Sequence, residues 1–192
     1  GIGTDKRIGG RFLRAGPAYG GSCFPKDTRA LIDTANKSKT SLSLIKTVVD
    51  SNDKRSNLLL KRITTILKNK IKNKKITFLG VTFKANTDDM RESSSLKMIP
   101  FLNKKGAKIR YYDPTGKKSE FDKFKNVEFK NNIKDACELS DLIILHTEWN
   151  EFKLIDLKKI VKKKNFIIYD LRNIYSSEKM KKNNIKYFGI GK

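Results

Sequence analysis

The octapeptide Gly20-Gly21-Ser22-Cys23-Phe24-Pro25-Lys26-Asp27 sets a thiol beside a flexible glycine turn and just ahead of a helix start. The free amides of a first helical turn carry partial positive charge and Lys26 adds a cation one turn along, so this context favours the thiolate, the nucleophilic form. Pro25 suits the first helical position, where its missing N–H costs nothing. With the helix starting there, Cys23, Lys26 and Asp27 stand at i, i+3 and i+4, which gathers nucleophile, cation and carboxylate on one face. Cys23 has no apolar stripe to join. Cys137, the other cysteine, sits among apolar neighbours in the helical-looking stretch 132–139 and reads as a small buried hydrophobe.

The elements that must position these residues follow from the hydrophobic period. Residues 1–21 are glycine-rich and basic, with Arg7, Arg11 and Arg14 spaced through what reads as loop with at most a short helix. A helix is expected from Pro25 to about Asn36, and a longer one from Ser41 to about Asn73. In the second, Ile45, Val48, Val49, Leu59, Ile63, Ile66, Leu67 and Ile71 recur at helical spacing across a polar break at 50–57. A helix of about 30 residues would run about 45 Å, too long for one small domain, so it is expected to bridge two domains or form a dimer core. From Lys74 the period changes. Strands at 76–80, 107–112, 142–145 and 165–170 alternate with helices at 93–105, 131–139 and 157–163, the mark of an α/β fold with a doubly wound parallel sheet.

Ligands bind such sheets beyond the carboxyl ends of the strands. That rule singles out the loops 80–95, 113–116, 146–151 and 170–173. The first carries Lys84, Asp88, Asp89, Arg91 and the serines 93–95 ahead of a helix. Gly80 stands alone with no G-x-G-x-x-G, so this is no dinucleotide fingerprint. Two cations and a serine-capped helix N-terminus would nonetheless suit phosphate groups, and Arg172, just after Asp170, points to the same rim. His146, the only histidine, ends a strand. As a base for Cys23 in a cysteine hydrolase it lacks a companion asparagine motif, and it reads better as a packing or rim residue. Two distant cysteines and one histidine do not have the spacing of a zinc site.

Composition bounds the remaining readings. A chain of 192 residues with 38% hydrophobic content can bury a core, and no apolar run approaches membrane-spanning length. It begins at Gly1 without signal- or transit-peptide character, so it reads as a piece of something longer, with a reducing cytoplasm as the expected compartment. A formal net charge of +23 raises nucleic acid as a partner. The distribution argues against it: lysines are scattered in Lys-Asn mixtures at 68–75, 162–164 and 179–184, with no interleaved aromatics to stack bases.

Two longer motifs, G-P-A-Y-G-G-S-C-F-P-K-D at 16–27 and G-V-T-F-K-A-N-T-D-D-M-R-E-S-S-S-L at 80–96, together resemble the UDP-glucose/GDP-mannose dehydrogenase family. So do Gly3-Thr4-Asp5-Lys6-Arg7-Ile8-Gly9, Thr147-Glu148-Trp149 and Asp170-Leu171-Arg172-Asn173, in order along essentially the whole chain. The resemblance implies a four-electron oxidation of a nucleotide-sugar primary alcohol to a carboxylate, consuming two NAD. Cys23 would hold the aldehyde as a thiohemiacetal and then a thioester, and Asp27 would help activate the hydrolysing water. By the same resemblance Lys26 and Arg91 contact NAD. The segment Phe12, Leu13, Arg14, Ala15, Gly16, with Gly20, wraps the sugar nucleotide; Lys84 and Arg172 reach it from the C-terminal domain, and Arg7 from a neighbouring subunit. Residues 1–73 then form the end of a central helical and dimerisation domain, and 74–192 a Rossmann-like UDP-binding domain.

Departures from the family pattern limit this. Its N-terminal NAD-binding domain is absent, as is an upstream helix supplying a catalytic lysine and asparagine, so the chain alone should lack turnover. The expected partners are that missing domain, a UDP-sugar substrate and further copies in a homodimer or larger assembly. Tyr19 stands where phenylalanine is usual. Phe24 after the cysteine favours UDP-glucose over GDP-mannose, and the Ser-Cys-Phe-Pro run disfavours N-acetylhexosamine substrates. Oxidation of GDP-mannose or another nucleotide sugar, and a nucleotide-binding or dimerising module without turnover, stay open as alternatives.

Overall fold

The computed structural model describes residues 1–10 and 13–191. After a 3-10 turn at Ile2–Thr4, the described residues up to Cys23 form no further helix or strand, and two helices follow, α1 (Phe24–Lys37) and α2 (Ser43–Ile66). A six-stranded sheet follows: β1 (Lys75–Leu79), β2 (Lys108–Tyr112), β3 (Val127–Phe129), β4 (Leu142–Leu145), β5 (Ile167–Asp170) and β6 (Lys186–Gly189). Every pairing is parallel and the order is β3-β2-β1-β4-β5-β6. The order reverses between β1 and β4, which makes their carboxyl ends the switch point of a doubly wound fold. Helices α3 (Ser95–Lys104), α4 (Ile133–Cys137), α5 (Leu157–Ile160) and α6 (Ser177–Lys182) connect the strands.

The central strands read as continuous apolar runs because both faces of the sheet are covered. Alternate residues serve alternate faces. Ile76, Phe78, Leu142, Ile144 and Tyr169 pack with α2 and α3 through Leu59, Leu60, Ile63, Met98, Ile99 and Leu102. Leu79, Ile143, Leu145 and Ile168 pack on the other side with Cys137, Leu157, Val161 and Met180. Cys137 is fully buried, and burial pushes its thiol up to about 12, which removes it from nucleophilic chemistry.

Two expectations from the helical period change. The long helix ends at Ile66, not Asn73: Lys68, Asn69 and Asn73 have φ of 52°, 62° and 63°, left-handed conformations that end a helix. Ile71 keeps its buried place through a turn, which is why the apolar spacing runs past the true end. The carboxyl half of α2 lies in the core of the sheet domain, and α2 also packs on α1, where Asp53 pairs with Arg29. α1 begins at Phe24, so Pro25 takes the second helical position, still within the turn that has no intrahelical acceptor for its missing N–H.

Candidate active site

Cys23 is the N-cap of α1 and is exposed. The helix beyond it carries Lys26 and Asp27 in the first turns, and the Asp27 amide donates to the Cys23 carbonyl at 2.8 Å. Lys26 Nζ lies 3.5 Å from Asp27 Oδ1, with both side chains well exposed. Ser22 Oγ sits 3.6 Å from Cys23 Sγ. The start of α1 is anchored by buried Pro25 and by the Phe24 ring, edge-on to Tyr19 at 4.9 Å between centroids.

The glycine turn before Cys23 is pressed against the loop that follows β1. Gly21 has φ +88°, and its N–H donates to the Arg91 carbonyl at 2.8 Å. A Cβ on Gly21 would meet the Phe83 ring at 2.8 Å, and one on Gly20 would meet the Glu92 carbonyl oxygen at 2.7 Å. These glycines are needed for close approach as well as for rotation. The result is an open groove of about 650 Å³ lined by Gly21, Ser22, Cys23, Pro25, Lys26, Arg29, Arg91 and Glu92. Asp89 grips Arg91 through Nε at 3.0 Å and Nη2 at 2.9 Å. Those bonds hold the Asp89 carboxyl below its ordinary value and the Arg91 guanidinium above its own.

The switch point of the sheet is built differently. Gly80 has φ +76°, and a Cβ there would lie 2.4 Å from Thr147 Cβ. Asp113 Oδ2 accepts from the amides of Val81 at 2.8 Å and Thr82 at 3.4 Å. These are the turn amides that a nucleotide-binding sheet offers to phosphate. Ser93 Oγ and Ser95 Oγ both donate to the Val81 carbonyl, and Ser94 Oγ is 2.7 Å from His146 Nε2. The expected serine-capped helix N-terminus is therefore corrected: Ser94 holds the cap position of α3 without a side-chain cap bond, because its hydroxyl serves His146. His146 is fully buried, and burial together with the Arg172 charge pushes it down to about 3, so it is a neutral packing residue.

Arg172 joins the two regions. Its Nε donates to the His146 carbonyl at 2.9 Å, Nη2 to the Phe83 carbonyl at 2.9 Å, and Nη1 pairs with Glu148 at 2.8 Å. The same side chain would sit 2.8 Å from a Cβ on Gly16. Only 11% of it is exposed, and burial draws its pKa below the ordinary arginine value. Lys84 is exposed, its Nζ 5.3 Å from the centroid of the Phe83 ring.

Of the residues singled out in the sequence, Cys23, Lys26 and Arg91 line one groove, with Asp27 beside Lys26 and Gly20 packed against Glu92 and Phe83. Gly16, Lys84 and Arg172 gather around Phe83. Ala15 is half-buried beside Gly16, whereas Leu13 and Arg14 are exposed, Leu13 lying against Gly3. Arg7 stands apart, exposed and paired with Asp5 at 2.7 Å. Phe12 lies outside the described residues. Sequence reasoning passed over Phe83, Arg29, Asn52 and Glu92. Phe83 sits inside a motif already noted, next to Lys84. Glu92 owes its position to a left-handed backbone, φ 54°, that glutamate does not advertise.

Comparison with known proteins agrees with this architecture. Residues 77–177 match the UDP binding domain of the UDP-glucose/GDP-mannose dehydrogenase family and residues 1–54 its central domain. The UDP-glucose 6-dehydrogenase of Rhizobium meliloti (strain 1021) is 39% identical over 193 residues, covering 100% of this chain and 44% of that protein. The corresponding protein of Rickettsia typhi (strain ATCC VR-144 / Wilmington) is 40% identical over 197 residues, covering 100% and 45%. The chain thus spans less than half the length of these relatives. Among solved structures, a UDP-glucose dehydrogenase from the hyperthermophilic archaeon Pyrobaculum islandicum superposes with a TM-score of 0.79 at 25% identity, over 98% of this chain and 41% of that one. Matches to both the central and the UDP binding domain, in sequence order along the chain, place it in the UDP-glucose/GDP-mannose dehydrogenase family.

Proposed function

We propose that this chain is the cysteine-bearing and nucleotide-sugar-binding part of an NAD-dependent UDP-glucose 6-dehydrogenase, which oxidises UDP-glucose to UDP-glucuronate. The observation that carries this reading is Cys23 at the cap of α1, in one groove with the cations Lys26 and Arg91. Residues 1–73 act as the end of the central domain and 74–192 as the UDP-binding domain. Further copies of the chain, as a homodimer or larger assembly, supply Arg7 to a neighbouring site.

NAD fits the groove better than the sheet. At the switch point the Val81 and Thr82 amides are taken by Asp113 and the space over Gly80 by Thr147. At the groove Lys26 and Arg91 present exposed cations suited to phosphate groups. These two would hold the cofactor, with an NAD-binding domain outside this chain completing its site. When bound, NAD takes up the hydride released at each of the two oxidation levels.

The chain's own residues then act in order. Cys23 Sγ adds to the aldehyde carbonyl formed by the first oxidation, giving a thiohemiacetal that keeps the aldehyde from escaping. Loss of the second hydride from that carbon, with the hydroxyl proton passing to solvent, leaves a thioester on Cys23. Asp27, one helical turn along, takes a proton from the water that cleaves it, which releases the carboxylate and restores the thiol. Residues 12–16 and Gly20 wrap the sugar nucleotide. Lys84 meets its phosphates from the exposed side of Phe83, and Arg172 supports the Gly16 segment from beneath.

The protein together with its NAD-binding portion, given NAD and UDP-glucose, is expected to yield two NADH per sugar, and Cys23→Ser to stop that yield. Two NADH per sugar from the serine variant would overturn the mechanism. Side-by-side rates with UDP-glucose and GDP-mannose decide the sugar nucleotide.

A further inference from the structure

Arg29 lies on α1 beyond the cysteine, and its guanidinium has two partners on different elements. Nη2 pairs with Asp53 of α2 at 3.2 Å, and Nη1 pairs with Glu92 of the loop after β1 at 3.2 Å. Glu92 follows Arg91, whose carbonyl receives the Gly21 amide, and the Glu92 carbonyl lies against Gly20. Its residue therefore touches both approaches to Cys23: the glycine turn through its backbone, α1 through its side chain.

Two further facts indicate that the Glu92 side chain has a task. Its φ of 54° is a conformation that disfavours glutamate and suits glycine or asparagine. At that position the Glu92 carboxylate is engaged, pairing with Arg29 Nη1 across to α1. Glu92 also forms the wall between the Cys23 groove and a second cavity of about 230 Å³, lined by Ala18, Asn52, Asp53, Ser56, Ser93, Ser94, Leu96 and Lys97. Across that cavity Asn52 holds the peptide of Tyr19, accepting from its N–H at 2.9 Å and donating to its carbonyl at 3.2 Å. Adjacent residues of α2, Asn52 and Asp53, thus fix the segment before Cys23 and the helix after it.

We propose that Arg29 and Glu92 are positioning residues for the oxidation, forming with Asp53 an ionic clasp that ties α1 to the loop bearing Arg91 and so sets Cys23 against the cofactor-side cation. This rests on the assignment of Cys23 as the nucleophile. Arg29 and Glu92 line the groove on the cofactor side and lie outside the sugar-nucleotide contacts around Phe83. Loss of the clasp loosens the helix carrying the thiol against the loop carrying the cation, which then meet only through the Gly20-Gly21 turn, while the sugar-nucleotide contacts around Phe83 stay in place. The defect belongs in turnover, not in sugar-nucleotide binding.

The test measures steady-state NADH formation and thermal unfolding in the protein with its NAD-binding portion, using whichever nucleotide sugar the unmodified protein oxidises. Glu92→Gly relieves the left-handed strain and removes the carboxylate. It should keep or raise Tm while lowering kcat about tenfold, with KM for the sugar nucleotide changed less than twofold. Arg29→Gln should lower kcat similarly, and Arg29→Lys, which keeps the cation, should recover at least half of it. Unchanged kcat in Glu92→Gly, or equal losses in Arg29→Gln and Arg29→Lys, overturns the clasp. Hydrogen exchange provides a readout independent of the substrate. Arg29→Gln should speed exchange together in 24–30 and 88–92 and leave β1 and β4 unchanged, whereas exchange identical to the unmodified protein overturns the proposal. If the unmodified protein oxidises no nucleotide sugar but the exchange pattern appears, the reaction assignment fails and the clasp stands.

Discussion

Around Cys23 the charged groups face solvent, with 76% of the Lys26 side chain and 68% of the Arg91 side chain exposed. One loop away, at the centre of the sheet, Ser93, Ser94, Ser95, Asp113, His146 and Thr147 are buried, and each side chain has a hydrogen-bond partner. Both regions look rich in chemistry when only residue types are considered. The difference lies in satisfaction: a buried polar group that has spent its donors and acceptors on neighbours is scaffold, and one left facing a groove is available. The sheet keeps its switch-point location but has turned inward there. The exposed charged groups stand at its margin, on the helix and loop packed against it.

Substitutions on either side of this divide should therefore separate activity from stability. The largest expected effect is Cys23→Ser, which should cut turnover about a thousandfold, about 4 kcal/mol in activation free energy. The exposed Sγ has no packing role, so Tm should stay within about a degree of the unmodified protein. Gly80→Ala is the converse. It puts a Cβ 2.4 Å from Thr147 at φ +76°, and should cost about 3 kcal/mol of stability by denaturant unfolding. A loss below about 1 kcal/mol would mean that the plug over Gly80 yields easily and that the switch point is less closed than its contacts imply.

Arg172→Lys comes next. Lysine cannot reproduce the fork to the Phe83 and His146 carbonyls and Glu148, and about 2 kcal/mol of stability should go with it. Because the same guanidinium backs Gly16, KM for the sugar nucleotide should rise as well, and an unchanged KM would restrict Arg172 to the scaffold. His146 gives a smaller effect with a definite sign. Its folded pKa is about 3 against about 6.5 unfolded, so below pH 6.5 the unfolded chain binds the extra proton and stability falls as pH falls. Between pH 6.5 and 5.5 this loss is about 1 kcal/mol, and it is complete only below the folded value. His146→Gln should flatten that part of the profile by the same amount, whatever the carboxylates contribute.

How much of this was legible depends on which forces act locally. The central strands were read because their apolar runs are buried on both faces, whereas β3 and β6 are edge strands whose half-exposed residues, Val127 to Phe129 and Lys186 to Phe188, carry no such run. The Cys23, Lys26 and Asp27 constellation was legible because helix geometry fixes it within five residues. Its joining to Arg91 came from a family resemblance and is seen physically in the shared groove and in the Gly21 to Arg91 hydrogen bond. The packing place expected of His146 is the one it holds, whereas the serines 93–95 looked like helix caps because Ser93 and Ser95 turn back on Val81 and Ser94 meets His146 only when β1 and β4 lie side by side. Arg29 and Glu92 were invisible for the same reason: they are 63 positions apart and meet across the packing of α1 on the loop after β1.

The smallest expected effect is the one that assigns Lys26. Its ammonium lies 3.5 Å from Asp27 Oδ1 in an exposed pair, the kind that adds little to stability, so Lys26→Ala should leave Tm unchanged. Two roles remain for the charge, and they separate kinetically. If Lys26 holds a cofactor phosphate, its removal weakens ground state and transition state alike and KM for NAD rises about threefold at constant kcat. If it serves Asp27, holding that carboxylate in place for the hydrolytic step, the loss falls in kcat and KM for NAD is unmoved. Pre-steady-state measurement then distinguishes the step: a thioester-hydrolysis defect leaves the first NADH burst at full rate and slows only its turnover. A rise confined to KM keeps Lys26 with the exposed, ligand-facing half of the molecule, and a fall confined to kcat places it beside the acid on its own helix.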